Sequence, residues 1–273
     1  MIYGQKTRLS RTMHDVRYDP IHDEFLTTNP FAAAVLVFRG GADGQESPVR
    51  IIQGSKTQMR GPSRVEVDPV NDEIFVPNAD SILVFRRDGN GDIAPLRAIR
   101  GPDTQLKRVE GLAVDAVHDV LVVGFSKPGG LRGMGTSGDQ GWSTAWTETG
   151  SADEMGGLLL FHRTDQENVK PYAVIQGPRT GLFTPEQLQA YPAKGWIVVA
   201  QSTDFVIPEP ENTFIGVWSI NDKGDVPPRW KIGGPDSLIK KPRGVALNPK
   251  HKELIVADMR LNAVLTYYFP EIF

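Results

Sequence analysis

The sequence predicts an all-β fold, a single β-propeller of five four-stranded antiparallel blades, and three observations predict it. First, four internal segments share one layout: Pro-x-x-x-Ile-x-Gly, then Thr or Ser three residues on, then Leu, Met or Ile two further. They run Pro48-Ile52-Gly54-Thr57-Met59, Pro95-Ile99-Gly101-Thr104-Leu106, Pro171-Ile175-Gly177-Thr180-Leu182 and Pro228-Ile232-Gly234-Ser237-Ile239. Second, an Asp-Pro-like corner follows each Gly at an interval of 14 residues: Asp68-Pro69, Asp115-Ala116, Tyr191-Pro192 and Asn248-Pro249. Third, the chain opens on Ile2-Tyr3-Gly4 with Thr7 and Leu9 in the same register, and reaches Asp19-Pro20 after 15 residues. A repeat that begins part-way through its own unit is the pattern of a closed circular array.

Each unit supplies four strands. Strand a is the short alternating stretch before the corner, such as Val65-Glu66-Val67 or Val245-Ala246-Leu247. Alternation with period two reads as a strand with two unlike faces. Strand b follows the corner, as in Ile74-Phe75-Val76 and Ile197-Val198-Val199. Strand c ends on an aromatic in every unit: Phe38, Phe85, Phe161, Trp218 and Tyr267. Strand d is the Pro-x-x-x-Ile-x-Gly segment. The fifth unit supplies a, b and c, so Ile2-Tyr3-Gly4 is expected to complete it as strand d and close the ring, which removes two sheet edges. The stretch Thr184–Leu188 resembles a short helix but stands in register as the start of a strand a. One domain over residues 1–273 follows, with long b–c connections at about 125–157 and 202–213.

The unit resembles the NHL-type repeat of bacterial β-propellers. The likeness is carried by Gly111-Leu112-Ala113-Val114-Asp115, Gly244-Val245-Ala246-Leu247-Asn248 and Ile255-Val256-Ala257-Asp258, and it extends over nearly the whole chain. NHL-like propellers usually have six blades where this chain counts five. The resemblance implies architecture more than activity, because such propellers serve as sensors, scaffolds, lactonase-like hydrolases and lyases.

Composition excludes several functions. There is no cysteine, so disulfides, thiolate metal sites and cysteine nucleophiles are absent. Net charge is −3 with no basic block, which argues against nucleic acid as partner. No apolar run approaches the length of a membrane-spanning helix. The first twelve residues lack a signal peptide's apolar stretch, so a cytoplasmic chain and a mature exported form are both open.

Isolated motifs dissolve in register. Gly133-x-Gly135-x-x-Gly138 matches a dinucleotide fingerprint but lacks its strand–helix context. Asp88-Gly89-Asn90-Gly91-Asp92 resembles the start of a calcium loop, yet the same turn recurs at Asp43-Gly44, Asp165-Gln166 and Asn221-Asp222. His22, His118 and His251 fall in a–b turns of three different units, and His162 follows a strand c aromatic, so no His₃ zinc site or Ser-His-Asp triad is expected.

The candidate site comes from superposing the units. The residues five before each corner are His14, Ser63, Glu110, Glu186 and Arg243, and the centres of strand a are Arg17, Glu66, Ala113, Gln189 and Ala246. These rows are expected to line the channel mouth, with His14, Arg17, Glu66, Glu110, Glu186, Gln189 and Arg243 binding a small polar ligand, a peptide or a protein. The competing reading is an internal salt-bridge ring. Trp142 and Trp146, in the longer b–c connection, are expected to contact a partner. A non-catalytic binding scaffold, acting as a monomer without a cofactor, is the favoured function. The alternative resembles gluconolactonase-type propellers, in which calcium or another divalent cation polarises a lactone. There Glu110 resembles the acidic residue that opens strand a, and Glu186, Asn78 and Asp258 complete the oxygen set.

Overall fold

The computed structural model describes residues 1–11, 13, 15–126, 155–202 and 213–273. Among these, nineteen strands form five antiparallel sheets. The first holds β1 (Val16–Asp19), β2 (Glu24–Asn29), β3 (Ala34–Arg39) and β4 (Arg50–Gln53). The second holds β5 (Glu66–Asp68), β6 (Glu73–Asn78), β7 (Ser81–Arg86) and β8 (Arg97–Arg100). β9 (Val109–Asp115), β10 (Val120–Phe125), β11 (Gly157–His162) and β12 (Ala173–Gln176) form the third. The fourth holds β13 (Thr184–Tyr191), β14 (Trp196–Ser202), β15 (Phe214–Ser219) and β16 (Trp230–Gly233). The fifth holds β17 (Pro242–Asn248), β18 (Glu253–Asp258) and β19 (Ala263–Tyr268). In every sheet, strands consecutive in sequence are neighbours. That meander, repeated five times, is the all-β five-bladed propeller architecture read from the sequence.

The chain divides into two compact units, Met1–Leu121 with His162–Pro171, and Val122–Phe161 with Tyr172–Phe273. In the first, one core joins Leu26, Val35, Val37 and Ile52 of sheet one to Val65, Val67, Ile74, Val76 and Phe85 of the second repeat. In the second, Val198, Ile215 and Val217 pack with Val245, Leu254, Val256, Phe269 and Ile272. Both cores use alternate residues of facing sheets, as period-two patterning requires.

The repeated glycine motif is a connector. After each fourth strand the chain makes one turn of 3-10 helix, over Ser55–Thr57, Pro102–Thr104, Pro178–Thr180 and Pro235–Ser237. The hydroxyls of Thr57, Thr104, Thr180 and Ser237 donate to the carbonyl of the motif glycine at 2.6–2.7 Å, and accept the amide two residues on. Gly54 and Gly177 hold φ at 138°, and a Cβ there would overlap the carboxyl of Asp92 or Asp225 from the following sheet. Only glycine meets both conditions.

Gln5–Thr7 forms the same turn at the N-terminus, with Thr7 Oγ1 donating to the Gly4 carbonyl at 2.6 Å and accepting Leu9 N–H. Ile2 also forms a parallel bridge to Gly44, as Ile52 does to Gly91 and Ile175 to Gly224. With Ile99 bridging Glu167 as well, the N-terminal copy docks on sheet one as the fourth strands of sheets one, two and three dock on the next sheet. Sheet five has three strands, with order β17-β18-β19.

Candidate functional site

Two clusters gather the charged residues of the first strands. In the first unit, Arg17 on β1 is buried and donates from Nε to the Val65 carbonyl at 3.2 Å and from Nη2 to the Leu112 carbonyl at 3.1 Å. It thus ties together the first strands of three repeats. Its Nε lies 3.1 Å from Glu66 Oε2, and its Nη2 is 3.9 Å from Asp15. Arg64, also buried, donates to the Glu110 carbonyl at 2.6 Å. Burial works against the Arg17 charge, but the Glu66 and Asp15 carboxylates outweigh it and hold its pKa above the ordinary value. Burial pushes the Glu66 carboxyl up to about 7, against the downward pull of Arg17.

In the second unit, β13 and β17 each carry a register irregularity, between Pro185 and Gln187 and between Pro242 and Gly244. The residues at those bulges are Glu186 and Arg243, which form an ion pair. A bulge turns its side chain away from the regular pleat, and here two bulges turn opposite charges together. Ser202 Oγ donates to Glu186 Oε1 at 3.0 Å. Gln187 Oε1 accepts Val245 N–H at 2.7 Å, joining β13 to β17.

The sequence-predicted residues distribute as follows. Arg17 and Glu66 come together, as do Glu186 and Arg243. Glu110 pairs with Arg108 at 2.9 Å. Gln189 bonds the neighbouring Ala190 carbonyl at 3.3 Å. His14, Trp142 and Trp146 lie outside the described residues, as do the greater parts of both long connections.

The row missed by sequence reasoning is the next one, Asp15, Arg64 and Gln187. Asp15 Oδ2 accepts Val65 N–H at 3.3 Å, as Gln187 accepts Val245 N–H at the equivalent place. The same superposition contains this row, and its side chains could have been recognised as the polar staples between first strands.

The oxygens grouped for a metal have other partners. Asn78 Oδ1 accepts Arg60 N–H at 2.6 Å and its Nδ2 donates to the Gln58 carbonyl at 3.1 Å. Both oxygens of Asp258 accept backbone amides, from Lys240 and Lys241 on one side and Arg260 and Leu261 on the other. Asn29 and Gln201 hold the same connectors in their own repeats. Among the described residues no group of three or more His, Asp or Glu is placed to hold a metal ion.

Two of the histidines and the calcium-like loop are also accounted for by geometry. His22 Nδ1 is 2.8 Å from Asp19, and His118 Nδ1 is 2.8 Å from Asp115, inside the a–b turns. In the loop, Asp88 pairs with Arg86, Asn90 Oδ1 accepts Ile51 N–H, and Asp92 Oδ1 accepts Lys56 N–H from the preceding connector.

A second system escaped the sequence reading. Glu24 at the start of β2 takes both terminal nitrogens of Arg50 at 2.6 Å and one of Arg87 at 3.0 Å, and Arg87 also reaches Asp72 at 2.6 Å. One repeat later, Glu73 binds Arg97 at 2.8 Å and Arg163 at 2.6 Å, and Arg163 reaches Asp119 at 3.2 Å. In the second unit the equivalent places of β14 and β16 hold Trp196 and Trp230, in edge-to-face contact at 5.2 Å with Phe269 in the same cluster. The same backbone position is thus a charged seam in one unit and an aromatic seam in the other.

No protein-family model matches the chain, and no curated protein matches it. Solved structures do. Hydrazine synthase from Kuenenia stuttgartiensis has a TM-score of 0.56 at 14% identity, covering 93% of this chain. This chain spans 58% of that one. A chain of the nidogen/laminin complex has a TM-score of 0.53 at 12% identity, covering 94% of this chain and 80% of its own. At such identities the likeness is one of fold. It supports the propeller architecture, within which no helix of the described residues is long and apolar enough to cross a membrane.

Proposed function

We propose that this propeller, NHL-like in its repeat, is a binding scaffold that engages a protein or peptide through the ends of its sheets where second strands pass to third. The observation that carries this reading is the inequality of the turns. The connections from Phe125 to Gly157 and from Ser202 to Phe214 are long, whereas the corners at the opposite end are tight and alike in every repeat. Long connections on a rigid frame are where recognition concentrates. Phe31, in the β2–β3 turn at that same end of sheet one, is 81% exposed. The polar side chains of the first strands support this reading as parts of a stiff frame: Arg17 pairs with Glu66 and Glu186 with Arg243, while Arg17 and Gln187 also bond the backbone of neighbouring repeats.

A photo-crosslinking residue placed at Phe31, compared with one at Val117 in an a–b turn, tests the reading in extracts of the source cells. The expected result is a discrete adduct from position 31 and none from position 117. Adducts from position 117 alone would place recognition at the other end and sink the proposal.

A further inference from the structure

The cations of the first unit are unevenly matched. Toward the a–b corners, guanidinium groups meet carboxylates: Arg50 and Arg87 meet Glu24, Arg97 and Arg163 meet Glu73, and Arg86 meets Asp88. At the opposite end, where second strands pass to third, the connectors between repeats carry Lys6, Arg8, Arg11, Lys56, Arg60 and Lys107. All are exposed, and among the described residues none forms an ion pair. Against them stand Asp80, Asp92 and Asp103, since Glu110 pairs with Arg108 and Asp15 lies buried near Arg17. That end therefore carries a positive excess which the chain's net charge of −3 conceals.

Principles of local bonding gather these connectors around the exposed Phe31. Asn29 donates to the Arg8 carbonyl at 2.8 Å and accepts Ala32 N–H, and Gln53 at the end of β4 donates to the Ala32 carbonyl at 2.8 Å. Gly61, on the second connector, faces the Pro30 carbonyl. Arg100 Nη1 donates to Gln58 Oε1 at 3.2 Å, and Arg64 to the Glu110 carbonyl at 2.6 Å, which joins the second connector to the third. Thr7, Thr57 and Thr104 lock the three turns, so the cations stand on a frame ordered before anything binds.

We propose that the partner taken at this end presents an acidic segment, its carboxylates facing these six cations and an apolar side chain resting on Phe31. The proposal rests on the binding reading above and names the chemistry of the partner. Complementary charge steers encounter and rejects wrong partners. A nucleic acid would meet the same cations, but its binders present a basic domain, whereas this chain has a pI of about 6.0 and spreads its cations over separate connectors.

Fluorescence anisotropy with a labelled peptide of Glu-Glu-Leu repeats tests it, against the same peptide with Gln for Glu and against an oligothymidylate of equal length. The expected result is binding of the Glu peptide alone, weakening as salt rises. Lys56→Gln, Arg60→Gln and Lys107→Gln together should weaken it about tenfold, at the strength of exposed ion pairs, with unchanged far-UV circular dichroism. Lys170→Gln, which removes an exposed cation from the β11–β12 connection, should leave it unchanged. No binding of the Glu peptide, equal binding of the Gln peptide, tighter binding of the oligonucleotide, or equal losses in the two variants overturns the proposal. An adduct from position 31 in extracts that survives the triple substitution also overturns it, while leaving the binding end in place. Adducts from position 117 alone would instead remove the reading on which it rests.

Discussion

Glu66 shows how a buried pair resolves when burial and a partner oppose each other. Arg17 sits 3.1 Å away, yet burial dominates and raises the carboxyl to about 7 from an ordinary 4.5. The folded chain holds this proton more tightly than the unfolded chain, so protonation stabilises the fold. That contribution is complete below the unfolded value and is lost as pH rises through the folded one, a span worth about 3 kcal/mol. Glu66→Gln should flatten the decline in unfolding free energy between about pH 5 and about pH 8, read from urea titrations. An unchanged slope would show that the carboxyl titrates normally. Thr57 poses a simpler case: its hydroxyl both donates to Gly54 and accepts from Met59. Thr57→Val should cost about 1–2 kcal/mol, whereas Thr57→Ser, which keeps both bonds, should cost less. Equal losses would mean that the methyl group, not the hydroxyl, holds the turn.

At the scale of elements, the strands and their order were legible because period-two patterning and the terminal aromatic recur in each unit. The connector was legible as spacing but not as mechanism. Gly54, Thr57 and Met59 appear as three fixed points, and only the hydroxyl bonds explain why they are fixed. The bulges at Glu186 and Arg243 were not legible, because a bulge changes pairing without changing the residue count before the corner. The charged seams were hidden for another reason. Glu73, Arg97 and Arg163 are far apart in sequence, and charged residues at strand starts read as solvated. Their burial yields a prediction. Removing only the arginines leaves a carboxylate in a poorly hydrated place, which costs more than removing all three charges. Arg97→Met with Arg163→Met should lower the urea midpoint further than the same pair combined with Glu73→Met. The reverse order would show that the seam is hydrated and its charges individually weak.

For the whole molecule, the two compact units follow one blade plan with unlike seams: Glu24-Arg50-Arg87 and Glu73-Arg97-Arg163 in the first, Trp196-Trp230-Phe269 in the second. During folding, nearly identical blades face the problem of docking on the correct neighbour. The carboxylate of a half-formed guanidinium–carboxylate seam finds no counter-ion in an indole, so docking the wrong neighbour leaves Glu24 or Glu73 poorly paired. The seams therefore act as addresses, readable before the cores are packed. Rewriting one address as the other, by Glu73→Trp, Arg97→Trp and Arg163→Phe together, should leave a foldable blade but remove the distinction. Refolding from urea should then slow and scatter more light than wild type, even where the native product is as stable. Undiminished refolding speed and yield would show that covalent chain order alone sorts the blades.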